Sequence, residues 1–523
     1  MKKKKLPVGI PDFETIRQDG YVYVDKTEAI YRMISEGKFY FLSRPRRFGK
    51  SVLVSTLRSL FQARKELFDD LWIATQSDWA WQESPVILFD FTGIANDTPD
   101  VLKLALETWM ANVAESYGIV LKTPLLISKF SELILAVARK TGKSAAVLVD
   151  EYDKPIIDHL GKGAEHLEIA KANRDLLKQL FGVLKGISVA PSLRFVFLTG
   201  ITRFSKVSIF SELNNLNDIS MNGRYADILG YTQEELEMYF AEDVRQFAES
   251  SNCSREEAMR TLTAQYDGYR FSERELRIYN PFSMLKALDA KKIGNYWFET
   301  GTPTFLVNLL RESGYNLPEV EGWQASESLF SVFDVERLSP APLLFQTGYL
   351  TIKSIENRMF ILDYPNQEVK SAFTETLLHS FSQAVDDETG SRVANLSKYL
   401  KQEQFEAFFE TMTAVFASIP YDIQSKRDEA YFHTIFYLMM TASGADARSS
   451  LLTCRGRIDM AILFPERVYI FEFKCDQSAE TALQQIRANG YAEMFREEGK
   501  KIVLIGIDFD PEQRNIVEWK VER

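Results

Sequence analysis

Residues 39–61 read FYFLSRPRRFGKSVLVSTLRSLF, and this stretch decides the N-terminal fold. An apolar strand pattern over 39–43 runs into a loop from Arg44 to Gly49 and then into a helical pattern over 51–61. A strand that delivers a tight turn onto a helix N-terminus aims several amide N–H groups at one point, where they can hold an anion. The loop closes on Gly49-Lys50-Ser51. The glycine permits close backbone approach, the lysine reaches the outer phosphates of a nucleotide, and the serine hydroxyl is a Mg2+ ligand. Arg44 stands where the G-x-x-x-x-G-K-[ST] pattern has its first glycine. Pro45 already restricts residue 44 to extended conformations. The turn is therefore expected to form by another route, with Arg44, Arg46 and Arg47 adding cations near the phosphates and Phe48 counted among the nucleotide-contacting residues.

Working outward, apolar runs at 85–91, 145–149 and 194–199 alternate with helical patterns at 99–117 and 127–139. Near-continuous apolar strands separated by crossover helices indicate a parallel sheet covered on both faces. A phosphate loop needs an acidic partner at the tip of an adjacent buried strand, and AAVLVDEYD supplies it. Asp150 is expected to hold the Mg2+ water shell and Glu151 to polarise the attacking water. The next strand ends in Thr199, Thr202 and Arg203, candidate sensors of the γ-phosphate. A second Gly-Lys-Ser, Gly142-Lys143-Ser144, follows a helix and precedes a strand. Its amides face the wrong way for a phosphate.

The 523 residues suggest about three domains. With 46% hydrophobic and 26% charged residues the chain is globular. A net charge of −11 excludes a uniformly basic surface but not a local cationic groove. No apolar run approaches membrane length. Residues 6–10 are too short and broken for a signal-peptide core. Three scattered cysteines, Cys253, Cys454 and Cys475, fit neither a disulfide frame nor a zinc cluster, so a reducing, cytoplasmic setting is expected.

From about residue 231 the texture becomes helical, and 340–365 reads as a helix followed by a two-stranded wing turning near Glu356-Asn357. Helices resume over 366–418. The expected division is a P-loop domain over 1–230, a helical lid over 231–340, a winged-helix-like connector over 341–423 and a second α/β domain over 424–523.

The segments LPVGIPDFETIRQDGYVYVDKTEAIYRMI, FYFLSRPRRFGKS, VDEYDKPI, LTGITRFSKVSIFSELNNL and YDGYRF…YNPFSMLKAL resemble the AAA-ATPase-like family of bacterial proteins over about 6–288. That resemblance implies a P-loop ATPase-type domain using ATP and Mg2+, in which R-P-R-R-F-G-K-S is the family's own loop. It also implies a characteristic opening segment, YVYVDKT (Tyr21–Thr27), whose role the residues do not reveal; Asp25 and Lys26 are expected to form a structural pair.

The closing constellation is GRIDMAILFPERVYIFEFKC. Asp459 is placed at the end of one strand, and Glu472 and Lys474 at the end of the next. Alternation sends Glu472 and Lys474 to one face and Phe473 to the other. Two carboxylates on neighbouring strands can bind Mg2+, and a lysine beside them can orient water and stabilise a phosphorane. Glu429, with His433 one turn later, is expected to add a metal contact from a helix over 429–441. Gln485 and Tyr491 lie on a helix over 479–495 that could reach the same cleft. The order Glu429, Asp459, Glu472-x-Lys474, Gln485 resembles the PD-(D/E)XK nuclease superfamily over roughly 424–510, with Ile458 in place of the usual proline. The resemblance implies a restriction-endonuclease-like α/β domain.

The expectation is a Mg2+–ATP module controlling a Mg2+-dependent nuclease, with nucleic acid as partner and DNA before RNA. The alternative is a nucleotide-switched scaffold whose nuclease-like domain is silent. Separation of Asp459 from Glu472 by more than about 6 Å, or a buried salt bridge occupying Lys474, would favour that alternative. A further alternative is a membrane- or defence-associated switch working as a homo-oligomer, with Arg203 acting in trans as an arginine finger.

Overall fold

The computed structural model describes residues 4–203, 215–298, 306–307, 309–310, 320–327, 330, 340–382, 387–419, 429–453 and 455–523. Residues 204–214, most of the FSKVSIFSELNN segment, lie outside them, as does Cys454. The chain forms two compact units, Met1–Leu306 with Gln324–Glu368, and Val307–Trp323 with Val369–Arg523. Among the described residues no helix is long and apolar enough to cross a membrane.

The first unit is built on five strands: β1 (Phe39–Ser43), β2 (Val86–Asp90), β3 (Ala145–Asp150), β4 (Leu193–Gly200) and β5 (Asn217–Asp218). All neighbours are parallel, in the order β2-β3-β4-β1-β5. Every residue of β3 is buried, as a strand with helices on both faces requires. Residues such as Leu42, Leu57, Leu148 and Phe197 join the helix Lys50–Phe61 to the sheet. The second Gly-Lys-Ser begins with Gly142, the left-handed C-cap (φ 68°) of the helix Leu126–Thr141, so it ends a helix instead of opening one.

Helices Gln233–Tyr239, Ala241–Ser250, Arg255–Tyr266 and Pro281–Ala290 follow, two of them opened by capping boxes, Thr232 with Glu235 and Ser254 with Glu257. They enclose their own core of Val244, Phe247, Leu262 and Met284, to which Val22 and Val24 of the opening segment are added. Helix Pro340–Thr347 precedes a wing made of β7 (Thr351–Glu356) and β8 (Met359–Asp363), which are antiparallel and extended to three strands by β6 (Trp323–Ala325). The wing turn uses Asn357 and Arg358 at φ 50° and 66°.

The second unit carries β9 (Asp446–Thr453), β10 (Gly456–Leu463), β11 (Arg467–Cys475), β12 (Lys501–Asp510) and β13 (Asn515–Glu522) in the order β13-β12-β11-β10-β9. Only β11 and β12 run parallel, joined by the crossover helix Ala479–Asn489. Helices Phe405–Ser418 and Glu429–Ala442 contribute Phe408, Phe436 and Phe432, which meet Phe471, Phe473 and Phe509 of the sheet. The helix expected to run to 495 stops at Asn489, because Gly490 turns left-handed (φ 62°), and a 3-10 segment continues from Tyr491.

Candidate functional site

At the carboxyl end of β1 the chain turns through residues 44–49 into a helix whose N-cap is Gly49, at φ 92°. A side chain is strained at that φ, so glycine is required there. Arg47 adopts φ 65° without being glycine. Lys50 folds back across the loop, and its Nζ donates to the carbonyls of Arg44 (3.0 Å) and Pro45 (2.9 Å). Burial lowers its pKa, while Glu151, Asp150 and Asp153 pull it upward. The Ser51 hydroxyl hydrogen-bonds the Asp150 carboxylate, which burial pushes up to about 6. Glu151 follows at φ 50°, its Oε2 accepting from Thr92 Oγ1 at 3.4 Å. A cavity of about 440 Å3 opens on Arg46, Arg47, Lys50, Ser51 and Glu151. A hydroxyl and a carboxylate already in contact beside a lysine and a helix N-terminus fit Mg2+ and a polyphosphate.

Several expected contacts fall elsewhere. Asp150 is not on the strand next to the loop, because β4 lies between β3 and β1; the Ser51 contact nevertheless forms. Arg44 does not face the phosphates. It is 1% exposed, and its guanidinium donates to the carbonyls of Ser43 (2.9 Å), Ser220 (2.7 Å) and Tyr225 (3.2 Å) while lying 4.2 Å from the ring centre of Phe271. Burial takes its pKa down to about 9. Phe48 is buried between Tyr269 and Phe271, so its ring anchors the loop. Thr202 is fully buried, its N–H and hydroxyl both donating to Asp153 Oδ2 at 2.6 Å. Arg203 is ion-paired to Asp218 at 2.7 Å. Thr199 gives its hydroxyl to the Leu42 carbonyl. None of these three is poised as a γ-phosphate sensor. Arg46 and Arg47 remain exposed at the cavity. Asp25 and Lys26 do not pair with each other. Asp25 accepts from Thr27 and from the Trp72 amide, and Lys26 binds Glu235.

In the second unit Asp459 is not a strand end but the middle of β10. Pairing of β10 with β11 is last seen at Met460↔Phe471, one step short of Asp459 and Glu472. There a side chain replaces the ladder, with Asp459 Oδ2 accepting the Phe473 N–H at 2.9 Å. The splayed strands bring the Asp459 and Glu472 carboxyls into hydrogen-bonding contact. Burial raises both above the ordinary carboxylate range, and Asp459 raises Glu472 further. Two such carboxyls disfavour each other's ionisation, in the same direction as their burial. Lys474 Nζ reaches Glu472 Oε1 at 3.4 Å and the Phe473 carbonyl at 2.8 Å. Gln485 Nε2 donates to the same Glu472 oxygen.

The expected ring of three carboxylates is not assembled. Among the described residues no group of three or more His, Cys, Asp and Glu side chains lies close enough to hold a metal ion. The charge of Glu429 raises the pKa of Glu472. Tyr491 is buried and packs under Gly456, where a Cβ would come within 2.8 Å of its hydroxyl. Two carboxylates still fit a hard divalent cation, because Glu472 Oε2 is buried without a hydrogen-bond partner.

Two residues at the sites were not singled out beforehand for the work they do. His433 was placed near Glu429 by helical spacing, but it hydrogen-bonds the Asp459 backbone, and burial pushes its pKa down to about 4. Its Nε2 is buried and unpartnered, which leaves Nδ1 to donate to the Asp459 carbonyl. Asp153, the last residue of VDEYD, ties β4's tip to β3 through Ile201 and Thr202. Its position three residues beyond Asp150 was the available signal.

Comparison with known proteins agrees with this layout. The family model described as Predicted AAA-ATPase matches residues 7–210, and the PD-(D/E)XK nuclease superfamily model matches residues 427–519. A protein of Azotobacter chroococcum mcd 1, described as "Uncharacterized protein in vnfD 5'region", is 39% identical, with 100% of this chain and 99% of that protein covered. No solved structure matches the chain.

Proposed function

The chain belongs to the predicted AAA-ATPase family with a C-terminal PD-(D/E)XK nuclease superfamily domain, and on that premise we propose that it binds and hydrolyses ATP with Mg2+ and cleaves phosphodiester bonds of nucleic acid, DNA first. The observation that carries the second activity is the meeting of Asp459, Glu472 and Lys474 where β10 and β11 part, with one buried Glu472 oxygen unpartnered. Asp459 and Glu472 would hold Mg2+, which when bound supplies a Lewis acid and an acidified water. Gln485 fixes the Glu472 carboxylate, and Lys474 places a positive charge where a phosphorane develops. In the first unit the Gly49 N-cap and Lys50 receive the phosphates, Ser51 and Asp150 the ion, and Glu151 orients water.

One observation favours the silent-scaffold reading: Lys474 is engaged in a buried ion pair. Its partner, however, is the site's own Glu472, so the lysine stays within the carboxylate cluster. Purified protein incubated with ATP, Mg2+ and mixed DNA and RNA separates the two readings. Cleavage that Asp459→Ala or Lys474→Ala removes while ATP binding persists supports the nuclease. No cleavage by the wild type on any substrate, with ATP hydrolysis intact, supports the scaffold. Lys50→Ala should abolish ATP binding, and retained tight binding would sink the nucleotide assignment.

A further inference from the structure

Two histidines that belong to neither site meet in the first unit. His159 follows the short helix Lys154–Ile157, just past the VDEYD motif, and His166 lies in the first turn of the helix Ala164–Gly182. Between them the chain reverses through Gly161 and Gly163, at φ 68° and 95°, which brings one ring back onto the other. Their Nδ1 atoms are 3.1 Å apart, and the ring planes are inclined by 22°. His159 is buried and His166 half-buried.

The tautomer of His159 is set from behind. Its Nε2 faces two acceptors, the Asn96 carbonyl at 2.7 Å and Asn96 Oδ1 at 3.1 Å, so in the neutral ring Nε2 carries the hydrogen. Nδ1 therefore presents a lone pair, and His166 Nδ1–H donates to it. Asn96 is itself held in place. Its Nδ2 donates to Asp158 Oδ2 at 3.2 Å, and its carbonyl also accepts from Asn173 Nδ2 at 3.3 Å. Asn173 is fully buried, and its Oδ1 has no hydrogen-bond partner. A buried imidazole whose far nitrogen is tied to a backbone carbonyl is the arrangement by which a metal-ligating histidine aims its lone pair.

We propose that His159 and His166 form a two-imidazole site for a borderline divalent transition metal, Zn2+ or Cu2+, separate from the residues assigned to Mg2+. Bonds of about 2.0–2.1 Å at tetrahedral angles put two nitrogens about 3.3 Å apart, so the pair opens by only a few tenths of an ångström to admit the ion. The ion takes the place of the bridging proton. Both Nδ1 lone pairs bind it, and His166 carries its hydrogen on Nε2 instead, so no net proton is released. Among the described residues no third His, Cys, Asp or Glu completes a metal-holding group with the pair, so water fills the rest of the shell. Imidazole ligands select Zn2+ and Cu2+ over Mg2+ and Mn2+, which prefer oxygen. An ion bound there fastens the helix Ala164–Gly182 to the segment that leaves Asp150 and Glu151.

The test gives chelator-treated, full-length protein up to one equivalent of Cu2+ at neutral pH and reads pulsed electron paramagnetic resonance. Two coordinated imidazoles modulate the signal through their remote nitrogens and add combination lines, which oxygen ligands alone cannot produce. His166→Ala, at a half-buried helix position, should remove the combination lines. It should also weaken Zn2+ binding, measured by calorimetry, by at least the roughly tenfold to hundredfold that loss of an outer partner costs. His166→Gln should behave in the same way, and it decides the matter if the alanine variant does not fold. Glu472→Gln should leave the combination lines in place. A wild-type spectrum without two imidazole nitrogens overturns the proposal. So does a spectrum that the folded His166 variants leave unchanged, or one that Glu472→Gln abolishes.

Discussion

Restoring the missing glycine should damage this protein. Arg44→Gly would give the loop the residue that the phosphate-loop pattern has at that position, yet the arginine is part of the fold. Three backbone carbonyls, of Ser43, Ser220 and Tyr225, accept from its guanidinium at 2.7–3.2 Å, and the ring of Phe271 covers it at 4.2 Å. Charged hydrogen bonds contribute roughly 1.5–3 kcal/mol each before the guanidinium's own dehydration is subtracted, which takes back several kcal/mol. Glycine leaves the carbonyls buried without that donor and a hollow beneath Phe271, for a net loss of about 3–5 kcal/mol. Arg44→Lys should lose much of the same, because a single ammonium cannot span three carbonyls in a planar fork. Hydrogen exchange read by mass spectrometry localises the effect. Amides of β1 and β4 should exchange on the order of a hundredfold faster or more, while those of β11 in the other unit stay unchanged. Unaltered protection of β1 together with weakened ATP binding would refute the reasoning and make Arg44 a phosphate ligand after all.

Other outcomes follow from the carboxylate pair and its surroundings. The folded pKa of Glu472 is raised above its ordinary 4.5, so ionising it costs more in the folded than in the unfolded chain. That penalty is absent below pH 4.5, grows as pH rises, and is complete above the folded pKa; Glu472→Gln should therefore stabilise the chelator-treated protein at pH 8 and leave it unchanged at pH 4, by urea unfolding. His433→Phe removes the donor to the Asp459 carbonyl and should lower Mn2+ affinity about tenfold to a hundredfold. His433→Asn keeps a donor near Nδ1 and should recover most of it, whereas equal loss in both variants would reduce His433 to packing.

Much of the first unit was legible because parallel strands buried on both faces leave continuous apolar runs. Val86–Asp90, Ala145–Asp150 and Leu193–Gly200 lie within a residue of their expected limits. The wing was equally plain, its turn falling at Asn357-Arg358, one residue beyond the expected position. Two strands of the second sheet were not foreseen. β9 (DARSSLLT) and β13 (NIVEWKVE) are edge strands that carry no long apolar run, and Leu452 and Val517 on them are exposed. Strand order was hidden too, since the insertion of β4 between β1 and β3 depends on pairing across more than a hundred residues. Residue types at the sites could be read, but their directions could not. Arg44 turns away from the loop because Ser220, Tyr225 and Phe271 wait for it far along the chain. Thr202 is turned to Asp153, which takes both its N–H and its hydroxyl. At the second site, the periodicity of EFK gave the shared face of Glu472 and Lys474. It could not reveal that the ladder opens at Asp459 or that, among the described residues, no third carboxylate completes a metal-holding group with the pair.

Titration of the chelator-treated, full-length protein with Mn2+, followed by calorimetry in two buffers of different ionisation heat, reaches the core of the account. The buried carboxyl pair should take up one ion per chain and release a proton to the buffer as it does so, because burial raises the pKa of both carboxyls and the ion binds only their ionised form. Glu472→Gln should abolish that heat while leaving the fold intact. A wild-type titration with no proton release, or one identical to that of Glu472→Gln, would contradict it.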